Sequence, residues 1–236
     1  MTHIITKDEY FTALNDERTS AILERTQRQA MDLKHLQDAW ILYHLRDASE
    51  LRILEVGGGH SRALRFVADA NEVWNIDDFG SVGTPRADRQ VPKIPGVRMV
   101  PEALGSFSPE LPDGYFDVVV SISVIEHVPF DVYPKFWADH ARVMKAGGLA
   151  LHAVDFYIGD EPDPVAERRA DEMFQAWEDS GLVPEEISLD RPIVFRSSFA
   201  SNPDYGMWVW NAYAPGLTAL RSAAQSVSLG AVLRRG

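Results

Sequence analysis

Cysteine and long apolar runs are both missing from the sequence, and basic residues are in the minority. Without cysteine, the chain can form no disulfide, no thiol nucleophile and no thiolate metal site. No stretch approaches the roughly 18 consecutive apolar residues that mark a membrane-spanning helix. The first residues also lack the charged-then-apolar pattern of a signal peptide. We therefore expect a soluble, cytoplasmic protein without a membrane partner.

The acidic balance argues against binding to a phosphate backbone. Lysine and arginine number 23 against 35 aspartates and glutamates, which gives a net charge of −12. Nucleic-acid affinity comes largely from basic side chains that neutralise phosphates, so we expect no nucleic-acid partner. With 236 residues and 45% hydrophobic composition, the chain is long enough to bury one substantial core. We predict a single domain over residues 1–236.

The N-terminal part has the apolar spacing of helices. Within residues 7–47, apolar side chains recur at intervals of three and four, as on one face of a helix. This pattern predicts two helices. We expect residues 1–48 to form N-terminal helices and residues 49–236 to form an α/β core. The N-terminal helices would serve either as a lid over the site or only to pack against the sheet.

A glycine-rich turn is the central feature of this core. The apolar run at 53–56 meets Gly57, Gly58 and Gly59, and the segment at 61–70 is predicted to be a helix. Consecutive glycines let a ligand approach the main chain, and a helix N-terminus favours an anionic group there. The turn alone is compatible with a nucleotide site or with an ordinary strand-to-helix connection.

Further strand-like runs end in polar residues. Asp77 follows the run at 73–76, about 20 residues after the first glycine, where a carboxylate can accept the hydrogen bonds of a ribose. An acidic cap or turn residue is the alternative at this position. The run at 115–121 leads into Glu126 and His127, beyond the end of a predicted parallel strand.

The later part of the chain alternates helix and strand patterns. Gly147 and Gly148 predict the end of a helix, and a strand follows at 149–154. A helix is predicted at 165–180, and two strands at 193–195 and 207–213. The last residues, through Arg235, predict a short surface helix or a mobile tail.

Four ordered segments carry a family resemblance: ILEVGGGHSRAL, NIDDF, YFDVVVSISVIEHV and ARVMKAGGLALHAVD. Together they cover roughly residues 50–155. Their order and spacing resemble the S-adenosylmethionine-dependent methyltransferases of the Rossmann-like type (class I). The resemblance implies a doubly wound, mostly parallel seven-stranded sheet, with S-adenosylmethionine as cofactor and S-adenosylhomocysteine as product.

The resemblance also implies a set of cofactor contacts. Glu55 and the three glycines would form the pocket for the methionine part, and Asp77 would bind the ribose. His60 is expected to contact cofactor or backbone. Asp78 and Phe79 would border the adenine, and Glu102 and Ala103 would lie at the polar edge of the adenine. Ser121 and Ile122 would line the floor of the pocket.

Three alternatives stay open beside this reading. A nicotinamide dinucleotide enzyme would require a third glycine at the position of Arg62. The dinucleotide enzyme is therefore less favoured than the methyltransferase. RNA methylation is disfavoured by the net charge. A catalytically silent cofactor-binding protein of the same fold would retain the same sequence features.

His127 is the first candidate for a general base, with Glu126 beside it. An imidazole with a pKa near its usual value of about 6.5 can accept a hydroxyl proton at neutral pH. This favours O-methylation of a small molecule, such as a metabolite, sugar or natural product. A structural role for His127 is the alternative, and the acceptor atom and the oligomeric state are left open.

A metal ion is not expected. In a subset of related methyltransferases, a Glu-x-x-Glu-His segment and a later histidine hold a divalent ion. Here Ser123 stands at the first position, ahead of Glu126 and His127, with His152 further along the chain. Loss of one carboxylate weakens a site for a hard cation.

Overall fold

The computed structural model describes residues 1–26, 33–80, 90–196, 198–199 and 225–236. One eight-stranded sheet organises these residues. Its strands are β1 (His3–Ile4), β2 (Arg52–Val56), β3 (Glu72–Ile76), β4 (Val97–Val100), β5 (Phe116–Ile122), β6 (Met144–Ile158), β7 (Leu182–Pro184) and β8 (Gln225–Arg235). The helices are α1 (Lys7–Asn15), α2 (Glu17–Arg25), α3 (Leu33–His44), α4 (Tyr133–Val143) and α5 (Pro164–Asp179).

The strand order confirms the predicted doubly wound α/β sheet. The order is β1-β8-β6-β5-β2-β3-β4, and β7 pairs with β8 outside this seven-strand path. Strands β2 to β6 pair in parallel, whereas β8 runs antiparallel to β6. The chain moves outward from β2 to β4 and then returns to β5 beside β2. Ligands bind at such a switch point, beyond the carboxyl ends of the strands.

The N-terminal segment is joined to this sheet. Strand β1 pairs with β8, and the backbone of Thr2 exchanges hydrogen bonds with the segment after β7, donating to Glu186 and accepting from Ser188. The predicted first helix is split at Asp16, whose carboxylate caps the start of α2. Three helices therefore replace the predicted two. None of the helices in the described parts of the chain is long and apolar enough to cross a membrane.

The predicted helix at 61–70 is wrong, because only a 3-10 turn forms there, at Leu64–Phe66. Ser61 has a left-handed backbone conformation, with φ of +49°. At the other end, the Asn71 side chain donates to the carbonyl oxygen atoms of Val67 and Ala48, at 2.9 and 3.1 Å. Side-chain hydrogen bonds of this kind compete with helix formation.

The predictions for the C-terminal part were also inaccurate. The last residues are neither helix nor tail, since strand β8 runs through Arg235 and is paired on both sides. Ile193 and Phe195 lie in irregular chain rather than in a strand. Their N–H groups bind the Glu167 carboxylate and the Gly159 carbonyl instead of a neighbouring strand. The predicted strand at 207–213 lies outside the described residues.

The glycine pair after α4 has a different function from the predicted helix cap. Helix α4 ends at Val143, and Gly147 and Gly148 lie in an irregular part of β6. The register there shifts between the pairs Phe116–Met144 and Val118–Leu149. A Cβ on Gly148 would lie 2.8 Å from the Lys145 carbonyl oxygen, so this bulge excludes a larger residue.

Two histidines are buried in the core between the sheet and helices α4 and α5. The rings of His140 and His152 are 5.0 Å apart and both contact Trp137. Burial lowers the pKa of His140 to about 3. Burial, with a smaller contribution from His140, lowers the pKa of His152 well below its usual value. Both rings are therefore neutral in the folded protein.

We predict that His140→Leu makes the stability less sensitive to acid. The unfolded chain protonates this histidine below pH 6.5, whereas the folded chain does so only near pH 3. Its contribution to stability is complete above pH 6.5 and falls by about 1.4 kcal/mol per pH unit below it. The measurement is the free energy of unfolding, from urea titrations between pH 6.5 and 5. Its decrease with falling pH should be less steep in the variant, by about 1.4 kcal/mol per pH unit. His60→Leu, at an exposed site, is the control, and equal slopes for both variants would contradict the prediction.

Candidate active site

The glycine turn follows β2 and is closely packed on one side. Gly57 and Gly59 have φ of +66° and +52°. A Cβ on Gly57 would lie 2.6 Å from a methyl group of Val124, and one on Gly58 would lie 2.3 Å from the Glu55 carboxyl carbon. At Gly59, the nearest atom is an Asp77 oxygen at 4.0 Å. The turn therefore offers exposed backbone on one side only, where a ligand can approach.

The Glu55 side chain packs against this turn from the interior of the protein. Its carboxyl group is buried and accepts a hydrogen bond from the Ser61 hydroxyl. Burial raises the pKa of Glu55 to about 7, although the Ser61 hydrogen bond and the nearby Arg62 charge oppose that rise. The side chain thus helps to shape the turn from within the protein.

Asp77 lies directly beside the glycine turn, as predicted from its spacing. One carboxylate oxygen accepts the N–H of Gly59 and the other that of Phe79, both at 2.7 Å. Asn75 fixes the same turn, since its amide binds the N–H of Gly58 and the carbonyl of Gly59 at 3.1 and 3.0 Å. Each Asp77 oxygen keeps a second lone pair for a ligand hydroxyl.

The other predicted cofactor residues occupy varied environments. Asp78 accepts the N–H of Gly80 at 2.9 Å, and Glu102 accepts the Ser106 hydroxyl at 3.0 Å. His60 and Ala103 are exposed, and Ile122 is half-buried. The Ser121 hydroxyl is fully buried against Nδ1 of His152, at 2.8 Å. Their cofactor contacts stay predictions.

A polar cluster lies beyond the end of β5, where β6 extends past its neighbour. It consists of Lys34 and Gln37 from α3, Ser123, and Asp155 from β6; we call it the Asp155 cluster. The Asp155 carboxylate accepts hydrogen bonds from Lys34 at 2.9 Å, Gln37 at 2.5 Å and Ser123 at 2.9 Å. Ser123 reaches this position through a left-handed backbone conformation, with φ of +55°.

Lys34 and Gln37 were missed by the sequence analysis above. Their signal was present in the pattern of α3, where Lys34, Gln37 and Asp38 share one face of a helix whose positions are mostly buried. Asp38 is fully buried and binds the Arg62 guanidinium through two hydrogen bonds, at 2.6 and 2.7 Å. Polar side chains at buried helical positions require partners, which here lie around the glycine turn and the Asp155 cluster.

Glu126 is the most unusual group in this region. Its side chain is 8% exposed, and neither carboxyl oxygen has a hydrogen-bond partner among the residues that the structure describes. Burial raises its pKa to about 8; the Asp155 charge adds to the rise and the Lys34 charge opposes it. A buried acceptor without a partner costs about 1–3 kcal/mol, so its presence needs an explanation.

His127, the first candidate base, lies outside this buried region. Its side chain is 79% exposed, and its Nε2 atom is 3.7 Å from a Glu126 carboxyl oxygen. His152 is fully buried beside Ser121. Among the described residues, no group of three acidic or histidine side chains could hold a metal ion. The absence of a metal stays a prediction, as do the catalytic roles.

The family model of a methyltransferase domain matches residues 54–152 of the chain. The matched segment contains the glycine turn, Asp77 and the Glu126–His127 pair. Together with the strand order, this match gives the chain the fold of the class I S-adenosylmethionine-dependent methyltransferases. A search of curated proteins found no match.

Solved structures with the same fold are similar in shape and distant in sequence. Geranyl diphosphate C-methyltransferase from Streptomyces coelicolor A3(2) has a TM-score of 0.57 and 16% identity, covering 99% of this chain and 89% of that chain. A putative sarcosine dimethylglycine methyltransferase from Galdieria sulphuraria has values of 0.56 and 14%, with 85% of both chains covered. The [4+2]-cyclase SpnF has values of 0.55 and 13%, covering 100% of this chain and 99% of that chain.

The residues at the glycine turn fit S-adenosylmethionine. The backbone at Gly59 is open, and a carboxylate with free lone pairs lies beside it. The turn would hold the methionine part and Asp77 the ribose. Arg62, at the position where a dinucleotide site needs glycine, is instead anchored by Asp38.

We predict that Asp77→Ala weakens S-adenosylmethionine binding by about 30-fold, or about 2 kcal/mol, because it removes hydrogen bonds to the ribose. Isothermal titration calorimetry measures this affinity directly. Asp69→Ala removes a carboxylate from the surface and is the matched control. Unchanged affinity in Asp77→Ala would show that the ribose binds elsewhere.

Proposed function

We propose that the protein transfers a methyl group to a hydroxyl oxygen of a small molecule, with Glu126 as the general base. The observation that carries this proposal is the buried Glu126 carboxyl group, which lies beyond the end of β5 and has no hydrogen-bond partner in the described part of the chain. A group poised near neutral pH is suited to proton transfer. When bound, S-adenosylmethionine supplies an activated methyl group and leaves as S-adenosylhomocysteine.

Glu126 and His127 have complementary positions for moving a proton. The Glu126 carboxylate would accept the hydroxyl proton inside the protein as the oxygen forms its bond to carbon. His127 contacts Glu126 from the surface, where it would pass that proton to solvent. Glu126 therefore takes over the role of base that the sequence pattern suggested for His127, and His127 keeps a supporting one.

The pH dependence follows from the raised pKa of Glu126. Only the ionised carboxylate accepts a proton, and with a pKa of about 8 it is a minor species at pH 7. We expect kcat/KM to rise with pH through about 8 and then to level off. A measured profile with one ionisation near pH 8 would support a single base, and a kcat/KM that does not change with pH between 7 and 9 would contradict it.

A small-molecule acceptor is supported by the neighbouring folds and by charge. The Streptomyces enzyme is in complex with geranyl diphosphate, a small molecule. The net charge of −12 disfavours RNA as an acceptor. The first experiment is therefore a panel of hydroxylated, amino and carboxylated metabolites with methyl-labelled S-adenosylmethionine. Labelled methyl ethers, with matching release of S-adenosylhomocysteine, would support the proposal, whereas methylamines would contradict it.

We predict that Glu126→Gln lowers kcat by about 100-fold or more, because the carboxamide cannot accept the proton. S-adenosylmethionine affinity should stay within about two-fold, and a parallel loss of affinity would contradict a purely catalytic role. His127→Gln should lose less activity and recover it with added imidazole. Glu126→Leu should lose activity while gaining about 1–3 kcal/mol of stability in urea titrations, since it removes the unpartnered oxygens.

A second candidate function is cofactor binding without methyl transfer. It is favoured by the likeness to SpnF, a [4+2]-cyclase that matches the chain over its whole length. S-adenosylmethionine binding without release of S-adenosylhomocysteine, across the whole panel, would favour this candidate over methyl transfer.

A further inference from the structure

We propose that Asp139 is a positioning residue for cofactor recognition, which acts by fixing the loop that borders the adenine of S-adenosylmethionine. This loop comprises residues 101–115, between β4 and β5, and we call it the β4–β5 loop. Asp139 lies on α4, in a later part of the chain. The proposal concerns cofactor binding only, so it is independent of the proposed role of Glu126 and of the acceptor.

The β4–β5 loop begins beside the residue expected to bind the ribose. The N–H of Asp77 donates to the carbonyl oxygen of Val100, the last residue of β4, at 3.1 Å. The glycine turn, Asp77 and the start of the loop therefore follow the carboxyl ends of three neighbouring parallel strands, β2, β3 and β4. A cofactor whose methionine part lies at the turn and whose ribose lies at Asp77 extends its adenine towards this loop.

The Asp139 carboxylate binds the backbone of the loop. One of its oxygens accepts the N–H groups of both Gly105 and Phe107, at 2.7 and 3.0 Å. The other oxygen accepts the Nε–H of Arg142 at 2.8 Å. The Asp139 side chain is fully buried, so the loop N–H groups and the guanidinium are its partners in place of water. Because both oxygens act as acceptors, a carboxylate fits this position and a carboxamide does not.

The loop conformation at these hydrogen bonds is an unfavourable one for the chain alone. Gly105 has φ of +96° and Phe107 has φ of +56°. A left-handed backbone is unfavourable for a residue with a Cβ, and the Phe107 side chain is 47% exposed, so it buries little apolar surface in return. Strained conformations of this kind persist where surrounding contacts impose them, and they cluster at ligand sites.

Arg142 extends the attachment to the second half of the loop. Its guanidinium donates to the carbonyl oxygen of Leu111 at 2.8 Å and also binds the Asp113 carboxylate. Asp139 orients this guanidinium through the hydrogen bond at Nε. One buried carboxylate on α4 therefore organises both halves of the β4–β5 loop.

These contacts determine the position of Glu102 and Ala103, the residues expected at the polar edge of the adenine. Both lie between the end of β4, which is bound to Asp77, and Gly105, which is bound to Asp139. Anchors on either side of so short a segment fix its place relative to the ribose. Loss of the Asp139 hydrogen bonds would therefore weaken recognition of the base and leave the contacts of the methionine part and the ribose in place.

The test compares two ligands that differ only in the base, S-adenosylhomocysteine and S-inosylhomocysteine, in which an oxo group replaces the adenine amino group. Isothermal titration calorimetry of the full chain gives the ratio of the two affinities. The wild-type protein should favour the adenine form by about ten-fold or more, because a site built for one hydrogen-bonding edge rejects another. In Asp139→Asn, the carboxamide N–H faces another donor, so the loop should be released and the ratio should fall by about five-fold or more.

Two further variants separate this effect from the loss of a charge and from the loss of the ribose contact. Asp113→Asn removes an exposed carboxylate from the same arginine and keeps the hydrogen bonds to the loop N–H groups, so it is the matched control and should leave the ratio unchanged. Asp77→Ala should weaken the binding of both ligands alike and keep the ratio within about two-fold.

Gly105→Ala tests the same contact from the loop side. A Cβ at this residue would lie 3.2 Å from the Cα and N atoms of Phe136 on α4, with the Asp139 carboxylate intact. This variant should lower the ratio as Asp139→Asn does, and it decides the matter where Asp139→Asn does not fold.

A wild-type protein that binds both ligands alike, or a ratio that is retained in either variant that folds, would overturn the proposal. A purely structural role for Asp139 would lower the stability in urea titrations and leave the ratio unchanged. Since no acceptor enters the measurement, a failure of the proposed methyl transfer would not alter its result.

Discussion

The packing of α3 against the sheet through three polar side chains is the contact on which the site depends. Asp38 anchors Arg62 just after the glycine turn, while Lys34 and Gln37 hold Asp155 beyond the end of β5. One helix thus fixes both the cofactor side and the proposed acceptor side. Asp38 is fully buried and Asp155 is 10% exposed, so removal of either cation would leave a carboxylate with little contact with water and without its ionic partner.

Glu126 illustrates a conflict between stability and chemistry. A buried carboxyl without hydrogen-bond partners destabilises the folded protein, and a leucine would pack there without that cost. The same lack of partners raises its pKa to about 8 and leaves both oxygens available to an acceptor. Such sites are retained where function requires them, as expected if Glu126 is the base.

The central strands and the glycine turn could be predicted because their signals are local. Runs of β-branched residues mark β2, β3 and β5. The spacing from Gly57 to Asp77 places the glycine turn and the Asp77 carboxylate side by side at the carboxyl ends of β2 and β3. The shape of the segment after the turn could not be predicted in this way. Ser61 and Asn71 replace helical hydrogen bonds there with side-chain ones, which a pattern of apolar residues does not reveal.

The remaining site features depend on contacts between distant parts of the chain. The Lys34–Asp155 pair joins residues 121 positions apart, and β8 acquires its place only by pairing with β6. The exposure of His127 and the burial of Glu126, adjacent in sequence, are likewise set by tertiary packing. A sequence motif can identify such a pair of residues, but it does not predict which of the two side chains is buried.

The central claim is that Glu126 receives the acceptor proton. The most direct measurement is a crystal structure with S-adenosylhomocysteine and an acceptor identified by methyl transfer. The account predicts that the reacting hydroxyl oxygen lies within about 3 Å of a Glu126 carboxyl oxygen. An acceptor whose reacting atom is bound elsewhere, with Glu126 still lacking a hydrogen-bond partner, would contradict it.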